Sequence, residues 1–157
     1  MGLDITAYRQ LVLAENQSAD DVDELKFYEN SSFPGRAEGL NLDALYKREP
    51  DKSFGFRAGS YGRYNKWRDQ LSLMAHGITA AEFWKLDDQP SAFRELIDFS
   101  DCEGVIGPVV AAKLAEDFAE YQPKADAYGD DHYWREKYAE WRKAFEMAAD
   151  GGAVDFH

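Results

Sequence analysis

The sequence predicts an α+β fold: a small antiparallel sheet of N-terminal strands packed against a mostly helical C-terminal half. Three observations carry this. Apolar and polar residues alternate near the N-terminus and again around residues 54–58, the period of a half-buried strand. From residue 64 onward, apolar residues recur at steps of three and four, the period of a helix face. Strands therefore precede helices, the order of α+β domains. With 157 residues, 45% hydrophobic and 15% aromatic, residues 1–157 suffice for a single globular domain with one core.

The elements follow in order. Leu3, Ile5 and Ala7 alternate with Asp4, Thr6 and Tyr8 and predict the first strand. Residues 16–24 are polar and acidic, a loop, and residues 25–30 (LKFYEN) read as a second strand. Residues 31–40 contain Pro34, Gly35 and Gly39 and predict an exposed, mobile loop. Residues 42–46 form one helical turn. A strand over 54–58 is entered through the turn at Glu49-Pro50-Asp51. Tyr64, Trp67, Leu71 and Met74 mark a helix closed by His76-Gly77. Thr79-Ala80-Ala81-Glu82 is a capping box that starts a short helix with Phe83 and Trp84. Phe93, Leu96 and Ile97 line another. Pro108, suited to a first helical position, starts a helix bearing Val109, Val110, Leu114 and Phe118 and ending near Tyr121. Trp134, Tyr138, Trp141, Phe145 and Ala148 give the clearest helical stripe, ended by Gly151-Gly152 before a short closing strand at 153–156.

Composition excludes several functions. The net charge is −12 and uneven: residues 1–78 hold 12 acids and 10 bases, residues 79–157 hold 18 and 8. General nucleic-acid binding needs a basic face and is disfavoured. No apolar run reaches the roughly 18 residues of a membrane span. No basic-then-apolar leader opens the chain, and one cysteine, Cys102, makes no disulfide framework, so a cytoplasmic setting is expected. Met1-Gly2 with Thr6 fits a lipidation pattern but reads better as the start of a strand. His76, His132 and His157 lack zinc-site spacing, and no nucleophile elbow exists. No catalytic residue, metal or cofactor is therefore assigned.

Two surfaces stand out. Residues 54–68 hold Arg57, Arg63, Lys66 and Arg68 with no acid, interleaved with five aromatics. The run Gly59-Ser60-Tyr61-Gly62 turns a strand into a helix whose first N–H groups attract anions. Arg57 and Arg63 would clamp a phosphate or carboxylate, with Tyr61 stacking on a ring. The expected ligand-binding set is Arg57, Ser60, Tyr61, Gly62 and Arg63, helped by the loop at Phe33-Pro34-Gly35. The bland alternative makes these aromatics core and pairs the arginines with the acidic half. The second surface is acidic. Glu116, Asp117 and Glu120 are expected to face solvent, joined by Asp126, Asp130 and Asp131, and to meet a basic host protein as an inhibitor or nucleic-acid mimic. An enzyme acting on a phosphate-bearing small molecule is a third reading, through a site assembled from distant segments.

The stretch DFSDCEGVIGP (98–108) resembles a calcium loop with Gly104 at its sixth position. Asp101 and Glu103 then fall on ligand positions, but Phe99 and Val110 occupy the first and twelfth, which calcium can least spare. The expectation is a metal-free helix-loop-helix in which Gly104 makes the bend and Ile106 packs inward. Asp98, Asp101 and Glu103 also offer carboxylates for acid–base work, though no partner is near in sequence. Cys102 between two acids reads as a buried structural thiol.

Met1 to Ile5, Phe56-Arg57-Ala58-Gly59-Ser60-Tyr61 and Ser100 to Gly104 together resemble a group of small bacterial and phage proteins that share these three segments and have no established activity. The resemblance spans about half the chain. It implies a bacterial or phage setting, and an accessory role there, without implying a mechanism.

Overall fold

Alternation at the N-terminus produces strand β1, Leu3–Tyr8, whose Leu3, Ile5 and Ala7 are buried on one face. The structure, a computed structural model, describes residues 2–14, 23–100 and 102–157. Most of the polar loop expected over 16–24, and Asp101, lie outside those residues. Two short strands follow, β2 (Glu24–Leu25) and β3 (Tyr46–Lys47), paired antiparallel with each other. β4 (Ser53–Gly59) leads into helix α1 (Tyr61–His76), then the short helices α2 (Ala80–Trp84) and α3 (Arg94–Ile97). Strand β5 (Gly104–Ile106), helices α4 (Pro108–Ala127) and α5 (His132–Ala149), and strand β6 (Ala153–Phe156) complete the order.

The fold is α+β. Four strands form one antiparallel sheet in the order β4-β1-β6-β5. Its N-terminal strands, β1 and β4, lie side by side, and the remaining two come from the helical half. The closing strand is therefore internal to the sheet, hydrogen-bonded to β1 on one side and β5 on the other. Leu3, Ile5, Ala7, Ile106, Val154 and Phe156 face the main core, packed with α1, α4 and α5. That core is aromatic: the rings of Trp67 and Trp141 stack at 5.4 Å, those of Trp67 and Trp134 at 6.0 Å, and Phe156 lies 5.6 Å from Trp141. On the opposite face Tyr8, Val105 and Ala153 meet Leu25, Phe27, Ala44 and Tyr46 in a smaller cluster.

Capping works as the sequence reads. Thr79 accepts from the Glu82 N–H while the Glu82 carboxylate accepts from the Thr79 N–H, satisfying two donors that a helix start leaves open. Gly77 ends α1 at φ 74°, a left-handed conformation cheap only for glycine.

Several expectations need correction. The strand read over 25–30 is a ladder only at Glu24–Leu25; Phe27 instead packs its ring between Tyr8 and Tyr46, each at 5.7 Å. The loop at 31–40 is not a free excursion. Phe33 is buried with its ring 4.8 Å from Phe99, Arg36 Nε donates to the Glu95 carbonyl at 3.1 Å, and the Arg36 carbonyl accepts from the Gly107 N–H at 2.7 Å. Phe33 and Ala37 are buried within it, while Pro34 and Gly35 at its tip are exposed. The helix expected to end near Tyr121 continues to Ala127 through Pro123. Proline removes one helix hydrogen bond there. Packing on α5 holds the continuation: Trp134 Nε1 donates to the Ala125 carbonyl at 3.0 Å and Tyr138 to the Phe118 carbonyl at 2.7 Å. Gly104 opens not a helix-loop-helix but a strand. Ile106 is fully buried as expected, and Phe99 is a core residue whose ring lies 4.6 Å from that of Phe156. No helix of the described residues is long and apolar enough to cross a membrane.

Candidate functional site

The basic turn is built from three elements. The β1–β4 register shifts between Leu3 and Asp4, whose partners are Gly59 and Arg57, so Ala58 is an extra residue on β4. Such a bulge turns the strand and re-aims the side chains beside it. Gly59 then takes φ 105°, where an added Cβ would lie 3.0 Å from Arg63 Cβ. Ser60 caps α1, its hydroxyl accepting from the Arg63 N–H at 3.3 Å. No acid lies in the first turn to offset the positive end of this 16-residue helix.

Helix α5 supplies the opposite wall. Tyr133 and Lys137 join Arg57, Gly59, Ser60 and Arg63 around a cleft of about 530 Å³. Lys137 Nζ donates to the Arg57 carbonyl at 2.8 Å and pairs with Glu140 at 3.0 Å. Arg57 is exposed, 3.7 Å from Asp4. Arg63 and Lys66 have no carboxylate within 4.0 Å among the described residues, so the pairing of these arginines with the acidic half is not what the structure holds. Tyr133 carries a buried hydroxyl with no hydrogen-bond partner among the described residues. It lies 3.6 Å from where a Gly59 Cβ would stand, at the heart of the turn.

Of the expected set, Arg57, Ser60 and Arg63 line this cleft. Tyr61 and Gly62 sit beside them in the exposed first turn. The Phe33 loop does not join, since Phe33 belongs to the core. Tyr133 and Lys137 were not legible as site residues. They share an α5 face at i, i+4, but nothing in sequence ties that face to a turn over 70 residues upstream. Arg68, the last cation of the basic run, is buried and leaves the site: it donates to the Ile97 carbonyl and, at 2.9 Å, to Asn65 Oδ1.

The acidic surface is smaller than expected. Asp117 is buried, not solvent-facing. It shares the inner stripe of α4 with Leu114 and Phe118, where it accepts from the Phe93 N–H at 3.0 Å and pairs with Lys113 at 2.7 Å. Lys113 also holds Glu95 at 2.7 Å. Asp131 caps α5 through the Tyr133 N–H, and Asp130 lies 3.4 Å from Arg135. Glu116 and Glu120 remain exposed without an ion pair among the described residues.

A second polar cleft, of about 440 Å³, opens on the far face of the sheet between Thr6, Arg48, Asp155 and His157. The Thr6 hydroxyl lies 2.9 Å from His157 Nε2. Burial pushes the Asp155 carboxyl up to about 6, against the opposing pull of His157 and Arg48. Thr6 stands opposite Asp155 in the β1–β6 ladder. Among the described residues no group of three His, Cys, Asp or Glu side chains is arranged to hold a metal. Comparison of the chain with family models, with curated proteins and with solved structures finds no match in any of the three.

Proposed function

We propose that this protein is a non-enzymatic accessory binding protein that takes a small phosphate- or carboxylate-bearing ligand at the turn between β4 and α1. The observation that carries this reading is the Tyr133 hydroxyl, buried beside the glycine turn and without a partner among the described residues. A buried hydroxyl without a partner costs about 1–3 kcal/mol. A ligand oxygen accepting its proton would recover that cost. The surroundings suit an anion: Arg57, Arg63 and Lys137 line one cleft, Lys66 flanks Arg63 in the next, and the helix N-terminus adds its dipole. Arg63, free of carboxylates among the described residues, forms the movable jaw, and Arg57 can exchange a 3.7 Å contact with Asp4 for a tighter one.

The test is titration with inorganic phosphate, sulfate and a nucleoside triphosphate, read by calorimetry and by amide shifts of residues 59–63. Arg63→Ala is expected to weaken binding at least about tenfold, the scale of one charge-assisted bond, with the denaturation midpoint unchanged. Tyr133→Phe separates site from scaffold. It should leave stability equal or slightly higher while lowering affinity, because the hydroxyl it removes has no internal partner. Anions that shift no turn amide at millimolar concentration, or an Arg63→Ala that chiefly unfolds the chain, would reject the reading.

A further inference from the structure

Where Arg68 leaves the basic turn, it enters another cleft. About 470 Å³ lies between α1, α2 and the end of α3, lined in part by Asn65, Arg68, Trp84, Lys85 and Asp98. Three features are unusual together. Trp84, the last residue of α2, is 59% exposed, while the other three tryptophans, Trp67, Trp134 and Trp141, are each 1% exposed. Asp98 is 8% exposed, yet among the described residues it has no ion pair, and the side-chain hydrogen bond it accepts there, from Gln89, is 3.5 Å long. Arg68 is 9% exposed and uses both terminal nitrogens, but its Nε–H, also buried, has no partner among the described residues.

Asp98, which lines the cleft, and Arg68 Nε, buried beside it, are costly while unpaired, and they recover that cost by meeting complementary groups. The volume lies within the range of small-molecule sites. An exposed indole at the rim offers a flat π-face. The open polar atoms then set the ligand's edge. Asp98 calls for N–H donors, and Arg68 Nε calls for an acceptor beside them. A bare anion is repelled by Asp98, and a bare cation by Arg68 and Lys85. A neutral ring with an exocyclic amino donor beside a ring-nitrogen acceptor, as in adenine, cytosine or guanine but not uracil, satisfies all three features.

We infer that this cleft is a binding site for a planar nitrogen heterocycle of the nucleobase type, stacked on Trp84 with its amino edge on Asp98 and its ring acceptor on Arg68 Nε. This is separate from the anion site and rests on different residues. Burial pushes the Asp98 carboxyl up, against the pull of Gln89, Arg36, Arg68 and Arg94.

The experiment titrates the full chain with adenosine, guanosine, cytidine and uridine, with guanidinium chloride as a cation control, and follows tryptophan side-chain N–H resonances. Nucleosides carry no phosphate, so failure here leaves the anion reading standing, and the reverse also holds. The expected result is a shift of the Trp84 indole N–H with adenosine, guanosine or cytidine, and at least tenfold weaker binding in Trp84→Ala, the scale of losing one base–aromatic stack. Trp84 is exposed, so that variant folds. Asp98→Asn should weaken the amino-bearing bases more than uridine. A nucleoside series that shifts no Trp84 resonance at millimolar concentration overturns the proposal. Equal affinity in Trp84→Ala overturns it as well. Selective response to guanidinium would instead assign a cation pocket and overturn it.

Discussion

Gly104 shows how one residue fixes a local path. It holds φ 133°, and an added Cβ would stand 2.8 Å from Asn30 Cβ and 3.1 Å from Phe99 Cζ. Phe99 is fully buried and cannot yield, and Asn30 is tied by its amide to the Glu103 carbonyl at 2.8 Å. Gly104→Val therefore combines a forbidden backbone angle with a clash. Its urea midpoint should fall by an amount equivalent to more than about 1 kcal/mol, the usual scale of such strain. An unchanged midpoint would mean the chain can take another path between α3 and β5. Cys102, two residues before, packs against the main core but is half-buried rather than buried as expected.

At the scale of the element, α4 carries a polar network on its inner face. Asp117 joins three parts of the molecule: its own helix through Lys113, the backbone of Phe93, and Glu95 through the shared Lys113. Phe93 sits at φ 58°, a left-handed angle rare for an aromatic residue, and its N–H bond to Asp117 helps hold it there. Asp117→Ala leaves the Phe93 N–H and the Lys113 ammonium without this acceptor and should cost about 1–3 kcal/mol, the scale of an unsatisfied buried donor. Glu116→Gln, one residue away on the exposed side, should stay within roughly 0.5 kcal/mol. Equal effects of the two in chemical denaturation would show that Asp117 is a surface residue after all.

At the scale of the whole molecule, the sheet is where the ends of the chain meet. β6 lies between β1 and β5, and Thr6 faces Asp155 across the β1–β6 ladder. The Asp155 carboxyl, ordinarily at 3.8, is raised to about 6 by burial. Above that value the folded protein carries a poorly solvated charge that the unfolded chain hydrates freely. Between roughly pH 4 and 6 the folded state binds the extra proton, so this group's contribution to stability falls as pH rises through the window. Asp155→Asn should raise stability by roughly 3 kcal/mol at pH 7.5 and leave it nearly unchanged near pH 4. Thermal melts of both proteins across this range check it; a constant difference between them would show that burial does not control the carboxyl.

Much of this architecture was legible in the sequence because it is written in local chemistry. Period-2 alternation set β1, period-3.6 stripes set α1, α4 and α5, and Thr79 with Glu82 capped α2, each within a few neighbouring residues. The cations of the basic turn were visible as an acid-free run, and Arg57, Ser60 and Arg63 do line one cleft. What tertiary structure alone decided are the properties that need a partner far along the chain. Asp117 turned inward although Glu116 and Glu120 did not, because Phe93 and Lys113 offered it bonds. Arg68 was drawn under the Ile97 carbonyl while Arg63, one turn earlier, stayed in solvent. Tyr133 reached the Gly59 turn from α5, and Trp84 was left bare beside a buried Asp98. Helix and strand periods come from bonds to near neighbours, which sequence records directly. Which polar group is buried, and whether it finds a partner there, depends on which surfaces meet, and only the packed chain fixes that.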